Sequence, residues 1–321
     1  MGSAAPNNDS KRMWISIGIT VIISELLTLW GIYGIGQYGI ALFILTPLFI
    51  GAGSSILYGY KRGIIPRTAR RIAFLTLLIY IACLLLFAIE GLICIAMAAP
   101  VGLLLTWIGS ILGAGIVNKK RNTAVPVLIL LTCTIPAVAF IEEAHQPALV
   151  SVTTSIEIHA APEVVWQNVL EFPQLDEPDE FIFKAGIAYP THATIVGKGR
   201  NAVRYCNFTT GSFVEPITVW DPPHLLKFRV EEQPEPMKEL SFWDIDAPHL
   251  HDYFISKQGQ FKLTKLPNGN TQLEGTTWYY HNISPAFYWQ LWSEYIVHTI
   301  HRRVLAHIKK SAEHNASPVQ S

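Results

Sequence analysis

The fold of the C-terminal half is decided by residues 151–166, which read SVTTSIEIHAAPEVVW. Apolar and polar residues alternate from Val152 to Ile158, which predicts a strand with one buried face, because successive side chains of a strand point to opposite sides. Ala161 and Pro162 then open a helix, since proline is favoured at the first helical position, where its missing N–H is not needed. A strand followed at once by a short helix indicates an α+β domain.

The chain beyond this helix alternates apolar strand patterns with turns rich in Pro, Asn and Gly. Further strands are predicted near residues 181–188, 202–208, 213–220, 225–231, 259–266 and 271–280. A long helix is predicted from Pro285 to about Lys310, and the residues after Ala312 are polar. We therefore predict a curved antiparallel sheet around a long C-terminal helix over residues 150–312, followed by a disordered tail at 313–321.

The N-terminal part consists of long apolar runs, and about 17–25 such residues suffice for a membrane-spanning helix. Five spans are predicted, at residues 13–33, 38–58, 72–89, 92–117 and 124–141. Glu90 and Gly91 separate the third run from the fourth, and a close glycine spacing at 51–53 and 109–113 suggests tight helix packing. The fifth run contains Pro126 and Pro136, so four spans are the alternative. Glu25 lies within the first span, either as a functional group or as a protonated or Ser/Thr-paired carboxylate.

The positive charges predict the orientation of these spans. In a five-span arrangement all ten Lys and Arg residues of the first 149 fall on one side, which the positive-inside rule assigns to the cytoplasm. Residues 1–12 would then be cytoplasmic and the C-terminal domain extracytoplasmic, as in a protein of a bacterial inner or plasma membrane. With four spans the domain would lie inside.

Composition excludes several classes of function. Residues 1–149 contain 10 basic and 5 acidic residues, and residues 150–321 contain 14 and 19, so neither half is basic enough to predict nucleic-acid binding. Four cysteines, three of them in apolar runs, give no disulfide framework. The chain lacks a nucleophile elbow, a P-loop and a dinucleotide fingerprint. We expect no cofactor and no metal.

Three stretches of the C-terminal half resemble the START-like (SRPBCC, polyketide cyclase, Bet v 1-like) superfamily. They are IEIHAAPEVVW at 156–166, VWDPPHLLKF at 219–228, and GQF at 259–261 with LEGTTWY at 273–279. The resemblance covers about residues 150–312 and implies a helix-grip domain with a hydrophobic cavity for lipids, sterols, polyketides or other apolar ligands. Members include enzymes, carriers and sensors, so the fold does not choose among these activities.

Candidate chemical groups lie on the C-terminal helix. Glu294, His298 and His301 share one face, with His307 two turns further on. With Tyr279, they form an acid/base set if they point into the cavity. The alternative, which we favour from the sequence, is a solvated stripe on the outer face beside Arg302, Arg303 and Lys309.

Residues 233–258 form a connection that is long for a compact domain. Its aromatic residues suggest a lid over the cavity, an element touching the membrane, or ordinary packing. Asp246, His249, His251 and Asp252 form only a weak metal-ligand pattern.

The cavity walls are predicted from apolar and aromatic positions of the sheet and helix. The candidate ligand-binding residues are Phe228, Trp243, Tyr279, Trp289, Trp292 and Ile296. Polar groups on the strands could also face inwards, but the alternation does not decide which of them do. These groups are Arg204, Tyr205, Asn207, Glu215, Thr277, Tyr279 and His281.

Two functions fit these patterns. The first is a membrane-anchored domain that binds a hydrophobic small molecule or lipid as a carrier, sensor or chaperone, with the bilayer itself as a partner. The second is a cyclase or hydratase-type enzyme using a cavity His, Glu or Tyr as general acid or base. Binding is favoured, because the sequence indicates cavity walls more plainly than catalytic groups.

Overall fold

The computed structural model describes residues 6–36, 38–119, 123–142, 147–240, 248–251 and 253–316. The chain divides into two compact units. The first contains Met1–Gln146 with two later segments, Glu239–Pro248 and Ile283–Ala286. The second contains the rest of the chain, beginning at Pro147.

The first unit is helical, and five of its described helices are long and apolar enough to cross a membrane. They are α1 (Pro6–Leu29), α2 (Thr46–Gly59), α3 (Pro66–Leu86), α4 (Leu92–Lys119) and α5 (Ala124–Glu142). Two π-helical segments, Trp30–Ile35 and Ala41–Leu45, extend α1 and precede α2. The predicted all-α region with five apolar helices is thereby confirmed, and the fifth run, which contains two prolines, does form a helix.

Helices α2 and α4 pack closely through glycines. A Cβ atom at Gly51 would lie 2.2 Å from the carbonyl oxygen of Thr106, and one at Gly109 would lie 2.3 Å from that of Leu48. Such distances are far below contact, so only residues without a side chain allow this approach. The close packing predicted from the glycine spacing is confirmed.

Acidic residues at one end of the helical unit serve as hydrogen-bond acceptors. Glu90, in the turn between α3 and α4, is buried and accepts a bond from the Tyr38 hydroxyl at 2.7 Å. Glu142, the last residue of α5, accepts from the backbone N–H groups of Ile40 and Ala41 at 2.7 and 3.2 Å. A carboxylate at the start of a helix satisfies N–H groups that have no partner within the helix. Glu25, in contrast, has two buried carboxylate oxygens with no hydrogen-bond partner among the described residues.

The second unit contains one curled sheet, whose strands in the described residues follow the order β1-β7-β6-β5-β4-β3-β2, each antiparallel to its neighbours. The strands are β1 (Val150–Ile158), β2 (Pro190–Val196), β3 (Val203–Phe208), β4 (Gly211–Asp221), β5 (Leu225–Arg229), β6 (Phe254–Lys265) and β7 (Thr271–His281). Its helices are α6 (Pro162–Leu170), α7 (Phe181–Lys184) and α8 (Ala286–Ala316), with a 3₁₀ turn at Pro248–Leu250. The predicted antiparallel sheet with a long C-terminal helix is confirmed.

The opening stretch folds as its pattern predicts. β1 pairs with β7 along its whole length, from Val150 opposite Tyr279 to Ile158 opposite Thr271. Helix α6 begins at Pro162 and buries its apolar stripe, which includes Val165. This stripe packs in one core with residues of the sheet and of α8.

Some predicted boundaries differ from the structure. The strand predicted at 181–188 is wrong, because Phe181–Lys184 forms one helical turn that ends near Gly186, whose φ of 115° is accessible chiefly to glycine. The real strand, β2, follows at Pro190 on the edge of the sheet, where a proline disrupts no ladder. Helix α8 continues to Ala316, so residues 313–316, expected in a tail, are helical.

Candidate ligand cavity

A cavity of about 120 Å³ lies between the sheet and α8 in the C-terminal unit. Strands β2 to β7 form one side of it and α8 forms the other. Its apolar walls in the described residues include five phenylalanines and four aliphatic residues of α8: Phe208, Phe213, Phe228, Phe254 and Phe261, with Val297, Ile300, Val304 and Leu305. Walls of this composition favour an apolar ligand.

The size of the cavity limits what it can hold. An engineered apolar cavity of about 150 Å³ accepts benzene, so this one suits a single aromatic ring or a short acyl segment. The position of the Phe228 ring in the cavity wall depends on Gly259 of β6, because a Cβ atom there would lie 2.5 Å from Cε2 of Phe228. At Gly275 of β7 a Cβ atom would meet Leu305 and Phe261 at an ordinary 3.7 Å.

The cavity also contains a buried ion pair. Arg204 of β3 and Glu215 of β4 are directly opposite each other in the sheet, and both side chains line the cavity. Arg204 is 2% exposed and Glu215 is 6% exposed. The Nη1 group of Arg204 donates a hydrogen bond to Oε2 of Glu215. Taking two charges out of water is expensive, so each partner depends on the other to remain buried.

Aromatic rings surround the guanidinium group of Arg204. Its Cζ atom lies 5.6 Å from the ring centroids of Phe172, Phe228 and Phe261. Cations at this distance from a ring are attracted to its negative face, more strongly when water is excluded. Burial, the largest single effect, lowers the pKa of Arg204, but the interactions with Glu215 and Cys206 together outweigh it and the pKa is raised. The guanidinium therefore stays charged inside the cavity.

One donor of Arg204 has no acceptor among the residues that the structure describes. Its Nε–H group is buried and forms no hydrogen bond with any described residue. The neighbouring thiol of Cys206 also lines the cavity, and burial raises its pKa to about 12 although the charge of Arg204 acts in the opposite direction. A thiol in this state is a small apolar wall group and a poor nucleophile.

Two histidines of α8, His298 and His301, form hydrogen bonds with the sheet. His301 lines the cavity, and its Nε2 atom lies 2.8 Å from Oγ1 of Thr277 while its Nδ1 atom lies 3.1 Å from Oγ1 of Thr154. Nδ1 of His298 lies 2.8 Å from the same Thr154 hydroxyl. Burial, with a smaller effect of His298, lowers the pKa of His301 to about 4. The expectation of a solvated outer stripe is therefore wrong for these two histidines, because strand residues occupy the space beside them.

The remaining acid/base candidates lie apart from the cavity lining. Glu294 is half-buried and accepts a hydrogen bond from Nε2 of Gln290 at 2.8 Å. Tyr279 is fully buried against Val152 and Val297, and burial, followed by the charge of Glu294, raises its pKa to about 12. Neither residue is among those that line the cavity in the described part of the chain.

Of the six candidate ligand-binding residues, Phe228 lines the cavity. Trp289 is buried, and Trp292 and Ile296 are half-buried, but these three residues of α8 do not belong to the described lining. Trp243 lies outside the described residues. Asp246 and Asp252 also lie outside them, and His251 is exposed. The described residues contain no group of three or more side chains placed to hold a metal ion.

The structure also decides which polar strand residues face inwards. Arg204, Glu215 and Thr277 line the cavity. Tyr205 and Asn207 alternate with Arg204 along β3 and lie on the other face of that strand. The sequence did not single out four of the phenylalanines or Cys206. They are recognisable only as alternate positions on strands whose register is known, and that register is set by pairing between distant segments.

Comparisons with known proteins concern this unit. A sequence model of the family described as "Polyketide cyclase / dehydrase and lipid transport" matches residues 150–313. No curated protein matches the chain.

Three solved structures illustrate the similarity to known folds. A protein from Nitrosospira multiformis is 18% identical, with 50% of this chain and 94% of that chain covered and a TM-score of 0.32. Truncated norcoclaurine synthase from Thalictrum flavum is 12% identical, with 55% and 98% covered and a TM-score of 0.34. The Aha1 dimer from Colwellia psychrerythraea is 16% identical, with 51% and 96% covered and a TM-score of 0.30.

Proposed function

Since the chain belongs to the polyketide cyclase / dehydrase and lipid transport family, we propose that its C-terminal unit binds an apolar small molecule or lipid segment in the cavity between the sheet and α8. The observation on which this rests is the composition of the cavity, with five phenylalanines on the strands and four aliphatic residues on the helix. Apolar walls with a few polar groups are typical of small-molecule sites.

The five apolar helices supply the second part of the proposal, which is that they anchor this binding unit in a membrane. An odd number of spans, with all ten basic residues of the N-terminal part on one side, supports an extracytoplasmic position for the binding unit. A bilayer that anchors the chain provides a source of apolar ligands, so the ligand we favour is one that dissolves in the membrane.

Catalysis on such a ligand is the second candidate function. It is favoured by one observation, the presence of Arg204, Glu215 and His301 in the cavity lining. Against it, both ring nitrogens of His301 already lie within hydrogen-bond distance of threonine hydroxyls, and Glu215 is bonded to Arg204. A general base needs a free lone pair directed at the substrate. Binding as a carrier, sensor or chaperone therefore remains the better-supported function.

The test is native mass spectrometry of the full chain extracted in mild detergent, with lipidomics of the material that co-purifies. The matched variants are Ile300→Trp, which fills the cavity from α8, and Ile300→Leu, which keeps its volume. We expect a defined adduct on the natural chain and on Ile300→Leu, and its loss from Ile300→Trp.

An adduct that Ile300→Trp retains would show that the ligand binds elsewhere, and no adduct on any of the three chains would count against the binding function. Catalysis makes a separate prediction. Incubation of the recovered compound with the natural chain would then yield a chemically altered product, which the Ile300→Trp chain would not form.

A further inference from the structure

The outward face of helix α8 changes from apolar to polar along its length. In its first three turns this face carries an apolar stripe of Phe287, Leu291 and Tyr295, which are 74%, 65% and 49% exposed. These residues are four apart in the sequence, and residues at that spacing share one face of a helix. In the second half of the helix, exposed residues at the same spacing are Arg302, Ala306, Lys310 and His314. The second half of this face is therefore suited to water, and the first half is not.

The apolar stripe differs from ordinary surface residues. Single exposed apolar residues, such as Phe181 and Val196 in the same unit, are normal on a soluble surface. Three large apolar side chains on one helix face instead form a continuous patch, and continuous patches mark interaction sites. Between Ile283 and Val297 the sequence contains one charged residue, Glu294. This end of the helix therefore has little that favours its exposure to water.

The apolar stripe begins next to a segment of the helical unit. Residues Ile283–Ala286, which directly precede Phe287, belong to that unit. Within the unit, the backbone N–H of Ser284 donates a hydrogen bond to the carbonyl oxygen of Tyr38 at 2.9 Å. Tyr38 lies in the connection between the first and second candidate spans. If these helices cross a bilayer, the chain enters α8 at the level where they leave it.

The length of the chain keeps the start of the apolar stripe near this level. An α-helix rises about 1.5 Å per residue, so Leu291 lies at most about 8 Å along the helix from Ala286. The headgroup layer on each side of the hydrocarbon core is about 5–8 Å thick. Phe287 and Leu291 therefore stay close to this layer for any direction of α8. Tyr295, about 14 Å from Ala286, reaches the layer if the helix runs along the surface.

We propose that the apolar stripe of α8 contacts the headgroup region of the bilayer, as a membrane contact of the chain in addition to its spans. A helix face of Phe, Leu and Tyr is typical of elements that lie at a bilayer surface. This contact rests on the part of the proposed function that anchors the helical unit in a membrane. It needs no ligand in the cavity, because Phe287, Leu291 and Tyr295 do not belong to the described cavity lining.

Photo-crosslinking of the full chain in liposomes of phosphatidylcholine and phosphatidylglycerol tests the contact. Several copies share each vesicle, so that they can also meet one another. The photoreactive residue p-benzoylphenylalanine, which bonds covalently to neighbouring C–H groups on irradiation, replaces Phe287 in one chain and Leu291 in another. Two control chains carry it at Leu130, an exposed residue of the span α5, and at Lys310, on the polar half of the same face of α8. Peptide mass spectrometry identifies what each probe captures.

We expect phospholipid adducts at Phe287, Leu291 and Leu130. They should be absent at Lys310, which lies about 29 Å further along the helix than Leu291. The adducts at Phe287 and Leu291 should persist when the cavity is filled by the additional substitution Ile300→Trp, because the captured molecule is then lipid of the bilayer.

Each other outcome overturns the contact. A lipid adduct at Leu130 but at neither Phe287 nor Leu291 would do so while the membrane anchoring stands. Capture of a second copy, or of another segment of the same chain, would show that the apolar stripe is a protein interface. Equal lipid capture at Lys310 would show that the bilayer does not select this half of the helix, and loss of the adducts in Ile300→Trp would show that the probe had captured a cavity ligand. If Leu130 captures no lipid, the anchoring itself fails and the contact fails with it.

Discussion

Arg204 and Glu215 form a buried ion pair in which each side chain compensates the charge of the other. Substituting Glu215 alone by leucine would leave the guanidinium buried without a counter-charge. We expect this to lower the free energy of unfolding by about 3–5 kcal/mol, whereas the double variant Arg204→Met with Glu215→Leu should stay close to the natural chain. Denaturant unfolding of the full chain in detergent, followed by tryptophan fluorescence, measures both. A single variant as stable as the double variant would show that the pair is not coupled.

His301 predicts a pH dependence of stability. Its pKa is lowered to about 4 from an ordinary value of 6.5, chiefly by burial. Between these values the unfolded chain binds a proton that the folded chain does not, so stability should be lost as the pH falls through this window. The contribution is up to about 3 kcal/mol.

Unfolding measured from pH 7 to pH 4.5 tests this dependence. His301→Gln, which keeps a neutral group able to bond to Thr277, should flatten the decline. His314→Gln, a substitution of an exposed histidine near the end of α8, controls for the general effect of losing a histidine. An unchanged slope in His301→Gln would contradict the assignment of the decline to this residue.

Close contact between helices α2 and α4 gives a prediction within the membrane region. A Cβ atom at Gly109 would lie 2.3 Å from the backbone oxygen of Leu48, whereas one at Gly115 of the same helix would meet nothing within 4 Å. We expect Gly109→Ala to destabilise the helical unit by about 1–3 kcal/mol, since the two backbones must move apart, and Gly115→Ala to be neutral. Thermal unfolding of the two variants in the same detergent measures the difference. Equal behaviour would mean that α2 and α4 do not cross at Gly109.

The prediction of secondary-structure elements succeeded where the sequence pattern was local. Pro162 marked the start of α6, and the alternation from Val152 marked β1, because both signals depend on neighbouring residues only. Prediction failed at Phe181–Lys184, where a short apolar run mimics a strand but Gly186 permits a helical turn to close. A short apolar run does not distinguish the two states without its tertiary contacts.

The arrangement of the chain across a membrane is the broadest prediction. If all five helices span the bilayer, the C-terminal unit lies on the side opposite to the basic loops. A reporter fused after Ser317 tests this in a bacterial host. Alkaline phosphatase, which is active outside the cytoplasm, should be active there, and a fluorescent protein that matures only in the cytoplasm should stay dark. The opposite pair of results would overturn the five-span arrangement.

Hydrophobic periodicity was enough to divide the chain into an apolar helical part and an α+β part, because apolar run length and alternation are properties of consecutive residues. The cavity required more. Arg204 of β3 lies opposite Glu215 of the neighbouring strand β4. Phe228 of β5 and Phe261 of β6 approach the same guanidinium group. Ile300 and His301 line the cavity from α8. These groups meet only through strand register and helix packing. Both are set by contacts between residues far apart in the chain, which no local pattern records.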